Sequence, residues 1–314
     1  MNWTALRRSL TAAALATTLL APSSASAQYE PGFVAGTGKW PAIMEMQPNL
    51  PTHTIYRPKS IAGLGFKLPV VVYAEGGCRN IGNKAPAMLA EIASHGYLVI
   101  ALGPISPYAK PVNYDRSDDI RAADGFPATS STAQMPQAVD WAIGENKRAG
   151  SPFHGKIDEK MIAYMGRSCG GLQAIAASLK DPRVKATLIM NSGMWADDDK
   201  RNAKVNEVQA GLTKASLRKL RAPALYIYGG ATDMAYANSE DDLNYVAGAP
   251  VFAASHCASG HPGTFGDDNG GAFGKVGVAW LDLWLKRRGD AAKLFKGKDC
   301  GLCADPAWVV RRPL

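Results

Sequence analysis

Short apolar runs alternate with segments of helical periodicity along most of this chain, and that rhythm limits the folds open to it. Leu68-Pro-Val-Val-Val-Tyr-Ala74, Tyr97-Leu-Val-Ile-Ala-Leu102, Met161-Ile-Ala-Tyr-Met165, Ala186-Thr-Leu-Ile-Met190, Ala224-Leu-Tyr-Ile-Tyr228 and Pro250-Val-Phe-Ala253 each read as a strand with little internal polarity. Helical spacing is found at Ala85 to Ser94, Ala133 to Lys147, Leu172 to Leu179 and finally Val276 to Leu285. Strands without a polar face, each followed by a helix, belong to a mainly parallel sheet covered on both sides. The expected fold class is therefore α/β, as one domain over residues 28–314. Within it, residues 28–52 are rich in Gly and Pro and read as an irregular N-terminal arm, and residues 290–314 read as a Cys-containing tail. With 314 residues, 46% of them hydrophobic, the chain is long enough to bury a sizeable core.

The first 27 residues stand apart from this pattern. Arg7 and Arg8 precede an Ala/Leu/Thr-rich apolar run from Leu10 to Leu20, and Ala25-Ser26-Ala27 supplies a small-x-small cleavage pattern. That layout reads as a signal peptide, with the mature chain expected to begin near Gln28, and it implies a secreted or periplasmic protein. The apolar run is too short to anchor the chain, and no later segment reaches the ~18 apolar residues a membrane span needs.

Export gives the five cysteines, Cys78, Cys169, Cys257, Cys300 and Cys303, an oxidising compartment. An odd number leaves at least one unpaired within the chain. Cys300-Gly-Leu-Cys303 has no second pair of matching spacing and lacks a thioredoxin-like context, so it reads as a structural disulfide site and not as a zinc or redox motif. The net charge of +8 is not concentrated in one basic block and gives little reason to expect nucleic acid as a partner.

A parallel sheet carries its chemistry at the carboxyl ends of its strands. There, directly after Met161 to Met165 and directly before a helix, stands Gly166-Arg167-Ser168-Cys169-Gly170. A serine hydroxyl is a weak nucleophile and needs a sharp, exposed turn where a base can reach it. Flanking glycines let the strand reverse into the helix, whose N-terminal amides face any anion forming there. Ser168 is the candidate nucleophile. Acyl transfer also needs two amide donors for the developing oxyanion. One is expected from Cys169 and the other from Cys78 or Gly77 in Glu75-Gly76-Gly77-Cys78, after an earlier strand.

The acid and the base should follow in the order Ser, acid, His. Asp233 closes Gly229-Gly230-Ala231-Thr232-Asp233 after the strand Ala224 to Tyr228, whereas Asp197-Asp198-Asp199 reads as a solvated loop and Glu240-Asp241-Asp242 lies further from the strand end. Of five histidines, only His256 and His261 lie beyond Asp233, and their positions do not separate them. His53, His95 and His154 read as surface or packing residues. Asp267-Asp268-Asn269-Gly270 lacks the spaced carboxylates of a calcium loop and reads as a turn. No metal and no organic cofactor is expected.

With these residues in place, the chain resembles the α/β-hydrolase superfamily from about Pro69 to Gly289, and within it the secreted polyester hydrolases, cutinases and dienelactone-hydrolase-like esterases. Ala93-Ser94-His95-Gly96-Tyr97, the Ser168 turn, Trp195, Asp233 and Gly277-Val278-Ala279-Trp280 carry the resemblance. It implies a monomeric serine esterase acting on a small or polymeric ester, with Ser168, Asp233 and His261 as catalytic residues; a lactone, thioester or amide hydrolase with the same triad is the alternative, and a catalytically silent binding protein is the reading from another class. It favours His261 over His256 through the loop length and through Gly260-His261-Pro262-Gly263-Thr264-Phe265. It also implies that Trp195 lines the acyl pocket. Two departures stand out: Cys78 replaces the aromatic residue common at the upstream oxyanion position, and Cys169 replaces the usual Met. Both cysteines then come to one site mouth, and a Cys78–Cys169 bridge is expected to stiffen it. A minority pattern, Cys257 beside His256, faintly resembles feruloyl esterases and tannases and would favour His256.

Overall fold

In the computed structural model, residues 33–106, 130–197, 208 and 211–314 are described, besides Met1. The expected signal segment, residues 28–32 of the arm, and Asp198 and Asp199 lie outside them. The strands, in chain order, are β1 (Ala42–Gln47), β2 (Leu50–Pro58), β3 (Leu68–Ala74), β4 (Leu98–Leu102), β5 (Ile157–Arg167), β6 (Val184–Met190), β7 (Ala224–Gly229), β8 (Val251–His256) and β9 (Trp308–Arg312). They form one sheet in the order β1-β2-β4-β3-β5-β6-β7-β8-β9. The six inner strands from β4 to β8 run parallel, and β1, β2 and β9 are antiparallel additions at the edges.

The helices are α1 (Pro86–Ser94), α2 (Gln134–Lys147), α3 (Cys169–Lys180), α4 (Tyr236–Asp242) and α5 (Gly271–Trp284). Strand alternation divides the core between the two faces. Val71, Tyr73, Val99 and Met165 pack with Met88 and Leu89 of α1 and with Phe273 and Trp280 of α5. Val70, Val72, Ile100 and Tyr164 pack with Met135 and Val139 of α2 and with Ala174 of α3. A helix layer on each side is what strands apolar on both faces require. Among the described residues, no helix is long and apolar enough to cross a membrane.

Two flanking segments differ from the sequence expectation. Residues 28–52 are not irregular throughout: β1 and the start of β2 fall inside them and form a hairpin across the two-residue turn Pro48-Asn49. Gly and Pro there punctuate a strand pair, and Pro is compatible with strand ends and edges. At the other end, the tail delivers β9, whose Val309 and Val310 pair with Ser255 and Ala254 of β8. β9 covers what would otherwise be an open parallel edge.

Candidate active site

β5 turns into α3 at Ser168, whose φ of 51° and ψ of −124° are costly for a residue with a side chain. The turn is held from several sides. The Ser168 amide donates to the Met190 carbonyl (2.9 Å), and its carbonyl accepts from the Gly171 amide (2.8 Å) and the Ser192 hydroxyl (2.7 Å). The glycines are there for closeness as well as flexibility. A Cβ on Gly166 would stand 2.0 Å from the Gly170 carbonyl oxygen, and one on Gly170 would stand 2.0 Å from that of Ala74. Only glycine at both places lets α3 begin against β5 and β3.

Ser168 is linked by hydrogen bonds to the two residues expected from chain order. His261 Nε2 lies 3.0 Å from Ser168 Oγ, and His261 Nδ1 lies 2.7 Å from Asp233 Oδ1. Asp233 follows β7 at the carboxyl end of the sheet, and its carboxylate is fully buried. Burial alone would raise its pKa, but the hydrogen bonds from His261, the Ala235 amide and Asn191 outweigh burial and hold it below the ordinary aspartate value. Asp233 is therefore ionised at neutral pH and can only accept, so Nδ1 donates to it, and in a neutral imidazole this leaves Nε2 to accept the Ser168 hydroxyl.

His256 is elsewhere. As the last residue of β8 it shares the strand face of Phe252 and Ala254, which points toward α5. Its ring sits edge-on to Trp308 (5.0 Å) and Phe273 (6.3 Å), and it makes no hydrogen bond with Ser168 or Asp233 among the described residues. Only the loop beyond β8 brings an imidazole, that of His261, over the Ser168 turn. The competing acids have other partners as well. Asp242 is fully buried against Lys214 Nζ (2.7 Å), Asp241 shares that lysine, and Glu240 accepts from Tyr228. Asp197 accepts from the Lys214 amide. His53 is buried in β2, His95 bonds Glu91, and His154 is exposed.

The loop after β3 lies against the Ser168 turn. Gly76–Cys78 form one 3-10 turn, with Gly77 at φ 63° and Cys78 at φ 49°. A disulfide joins Cys78 to Cys169, with Cα atoms 5.1 Å apart. Cys169 opens α3, so its amide is among those with no carbonyl to bond within the helix. Cys300 and Cys303 form the second disulfide, and Cys257, beside His256, is free and exposed.

A cleft of about 110 Å³ opens beside Ser168 and His261. Leu172, Trp195, Met234 and Ala235 are among the residues that line it. Two further residues were missed in the sequence. Asn191, directly after β6, donates from Nδ2 to Asp233 Oδ2 (2.8 Å) and to the Gly260 carbonyl (2.9 Å), tying the acid to the histidine loop. Arg167, one residue before Ser168, is buried against Glu75. Position at a strand end was a signal for Asn191; neither residue has a motif of its own. No family model and no curated protein matches this chain.

Proposed function

We propose that this chain is an exported serine hydrolase of α/β-hydrolase architecture that cleaves carboxylic esters through an acyl-enzyme. The observation that carries the reading is the unbroken hydrogen-bonded series from Asp233 to His261 to Ser168, ending on a hydroxyl at a strained strand-to-helix turn. In this reading Ser168 Oγ attacks the ester carbonyl while His261 Nε2 takes its proton. Asp233 holds the imidazole tautomer and stabilises the imidazolium. The Cys169 amide, with that of Cys78 or its neighbour Gly77, receives the charge on the carbonyl oxygen. His261 then returns the proton to the departing alcohol, and water, activated by the same imidazole, releases the acid and regenerates Ser168. No step needs a metal or an organic cofactor. The cleft walled by Leu172 and Trp195 suits the acyl group. Two disulfides and the leader-like first 27 residues support export to an oxidising compartment.

The test is steady-state hydrolysis of 4-nitrophenyl esters of graded acyl length beside the matching 4-nitroanilides, using the full secreted chain and Ser168→Ala. Ester turnover that disappears in the variant supports the proposal. Anilide turnover exceeding ester turnover would move the substrate to amides. Unchanged ester turnover in Ser168→Ala would end the reading.

A further inference from the structure

Arg167 is the variable residue of the Gly-x-Ser-x-Gly turn and the last residue of β5, so nothing about the motif requires a charge there. Yet its side chain is only 3% exposed, and the Glu75 side chain that faces it only 2%. A buried ion pair is weak evidence for stability, because apolar residues of similar volume commonly pack at least as well. Its value here lies in what it touches. Arg167 Nη1 donates to Glu75 Oε1 (3.2 Å), the oxygen that also accepts the Gly76 amide (2.7 Å) at the start of the 3-10 turn carrying Gly77 and Cys78. The other Glu75 oxygen accepts the Tyr73 hydroxyl (2.7 Å), fixing the carboxylate to β3. On its far side, Arg167 Nη2 reaches the His261 carbonyl (3.4 Å), and the guanidinium lies 5.6 Å from the centre of the Phe265 ring, further along the same loop. A Cβ on Gly76 would come within 2.5 Å of Arg167 Nη1, so the loop is fitted around the guanidinium.

We propose that Arg167 and Glu75 are a positioning pair that sets the oxyanion loop and the histidine loop against Ser168, an inference that rests on the hydrolase reading above. One planar fork spans three chain segments that the sequence keeps 92 residues apart or more. A lysine, with a single point of charge, holds one side of such a bridge and not both. Neither Arg167 nor Glu75 lines the cleft. Losing the pair therefore misaligns the oxyanion donors and the imidazole at the transition state while leaving ground-state binding in place. Displacement of catalytic groups by about 1 Å costs on the order of 100-fold in rate.

The experiment measures kcat and KM for 4-nitrophenyl acetate with the full secreted chain carrying Arg167→Met, Arg167→Lys, Arg167→Met with Glu75→Gln, and Ser168→Ala. The expected result is a fall in kcat of about 100-fold for Arg167→Met, with KM within threefold of wild type, and a smaller fall for Arg167→Lys. The double variant leaves no unpaired buried charge, so it is expected to regain the wild-type melting temperature but not the wild-type kcat. If Arg167→Met does not accumulate as folded protein, the double variant and Arg167→Lys carry the same test. A double variant with wild-type kcat, or a loss confined to KM, overturns the positioning role. Turnover that survives Ser168→Ala points instead to failure of the site reading itself.

Discussion

The Cys78–Cys169 disulfide spans 91 residues, whereas Cys300–Cys303 spans 3, and this contrast gives a quantitative expectation. A crosslink lowers the entropy of the unfolded chain by an amount that grows with the logarithm of the loop it closes. At 25 °C this is worth about 4.6 kcal/mol for the long bridge and about 1.6 kcal/mol for the short one. For a chain of this size 1 kcal/mol corresponds to about 2 °C in melting temperature. Cys78→Ala with Cys169→Ala is thus expected to melt roughly 9 °C lower than wild type, and Cys300→Ala with Cys303→Ala roughly 3 °C lower. Differential scanning calorimetry without reductant reads both, and urea unfolding gives the free energies directly. The long bridge also joins the two residues proposed to carry the oxyanion amides, so its loss is expected to lower ester kcat by tenfold or more. The short bridge is expected to leave kcat unchanged. Equal losses in the two variants, or a loss below 1 kcal/mol for the long bridge, would refute the reasoning.

Other perturbations separate the parts of the site. His261→Ala is expected to lower ester kcat by a factor of 1,000 or more, while His256→Phe, which keeps a ring between Phe273 and Trp308, stays within about twofold; the reverse order in a kinetic assay would move the base to His256. Asn191→Ala removes two hydrogen bonds, the buried one of them to a carboxylate, and is expected to cost about 2 kcal/mol in urea unfolding; a change under 0.5 kcal/mol would show that the side chain is not holding Asp233. Because the Asp233 pKa is lowered on folding, its ionised form contributes stability that is present above its unfolded value and lost as the pH falls through its folded one. The gap in melting temperature between wild type and Asp233→Asn should be full at pH 6 and shrink below about pH 4; a gap that widens on acidification would contradict the direction of that shift.

Much of this arrangement is legible in the sequence because it depends on local pattern. The buried strands are apolar on both faces, so β3 to β8 stand out as runs, and the Ser168 turn announces itself through glycines that packing demands at Gly166 and Gly170. The edges are less legible. β1 and β9 lie at the margins of the sheet and are not unbroken apolar runs, since β1 contains Glu45 and Gln47 and β9 ends on Arg311 and Arg312, and the Pro and Gly around β1 read as irregular chain when they mark the ends of a hairpin. The two late histidines could not be separated by position. What divides them is side-chain direction, since strand alternation commits His256 to the α5 face and frees His261 on the loop. The Arg167–Glu75 and Asn191–Asp233 contacts join residues 92 and 42 positions apart, and no local pattern marks such pairings.

The most direct test of the central claim is covalent labelling of the intact folded chain by a fluorophosphonate, read by whole-protein mass and peptide mapping. One equivalent of label on Ser168 Oγ is expected, absent in Ser168→Ala and slowed strongly in His261→Ala. A chain that hydrolyses esters but carries no label on Ser168, or carries it on another residue, would contradict the account.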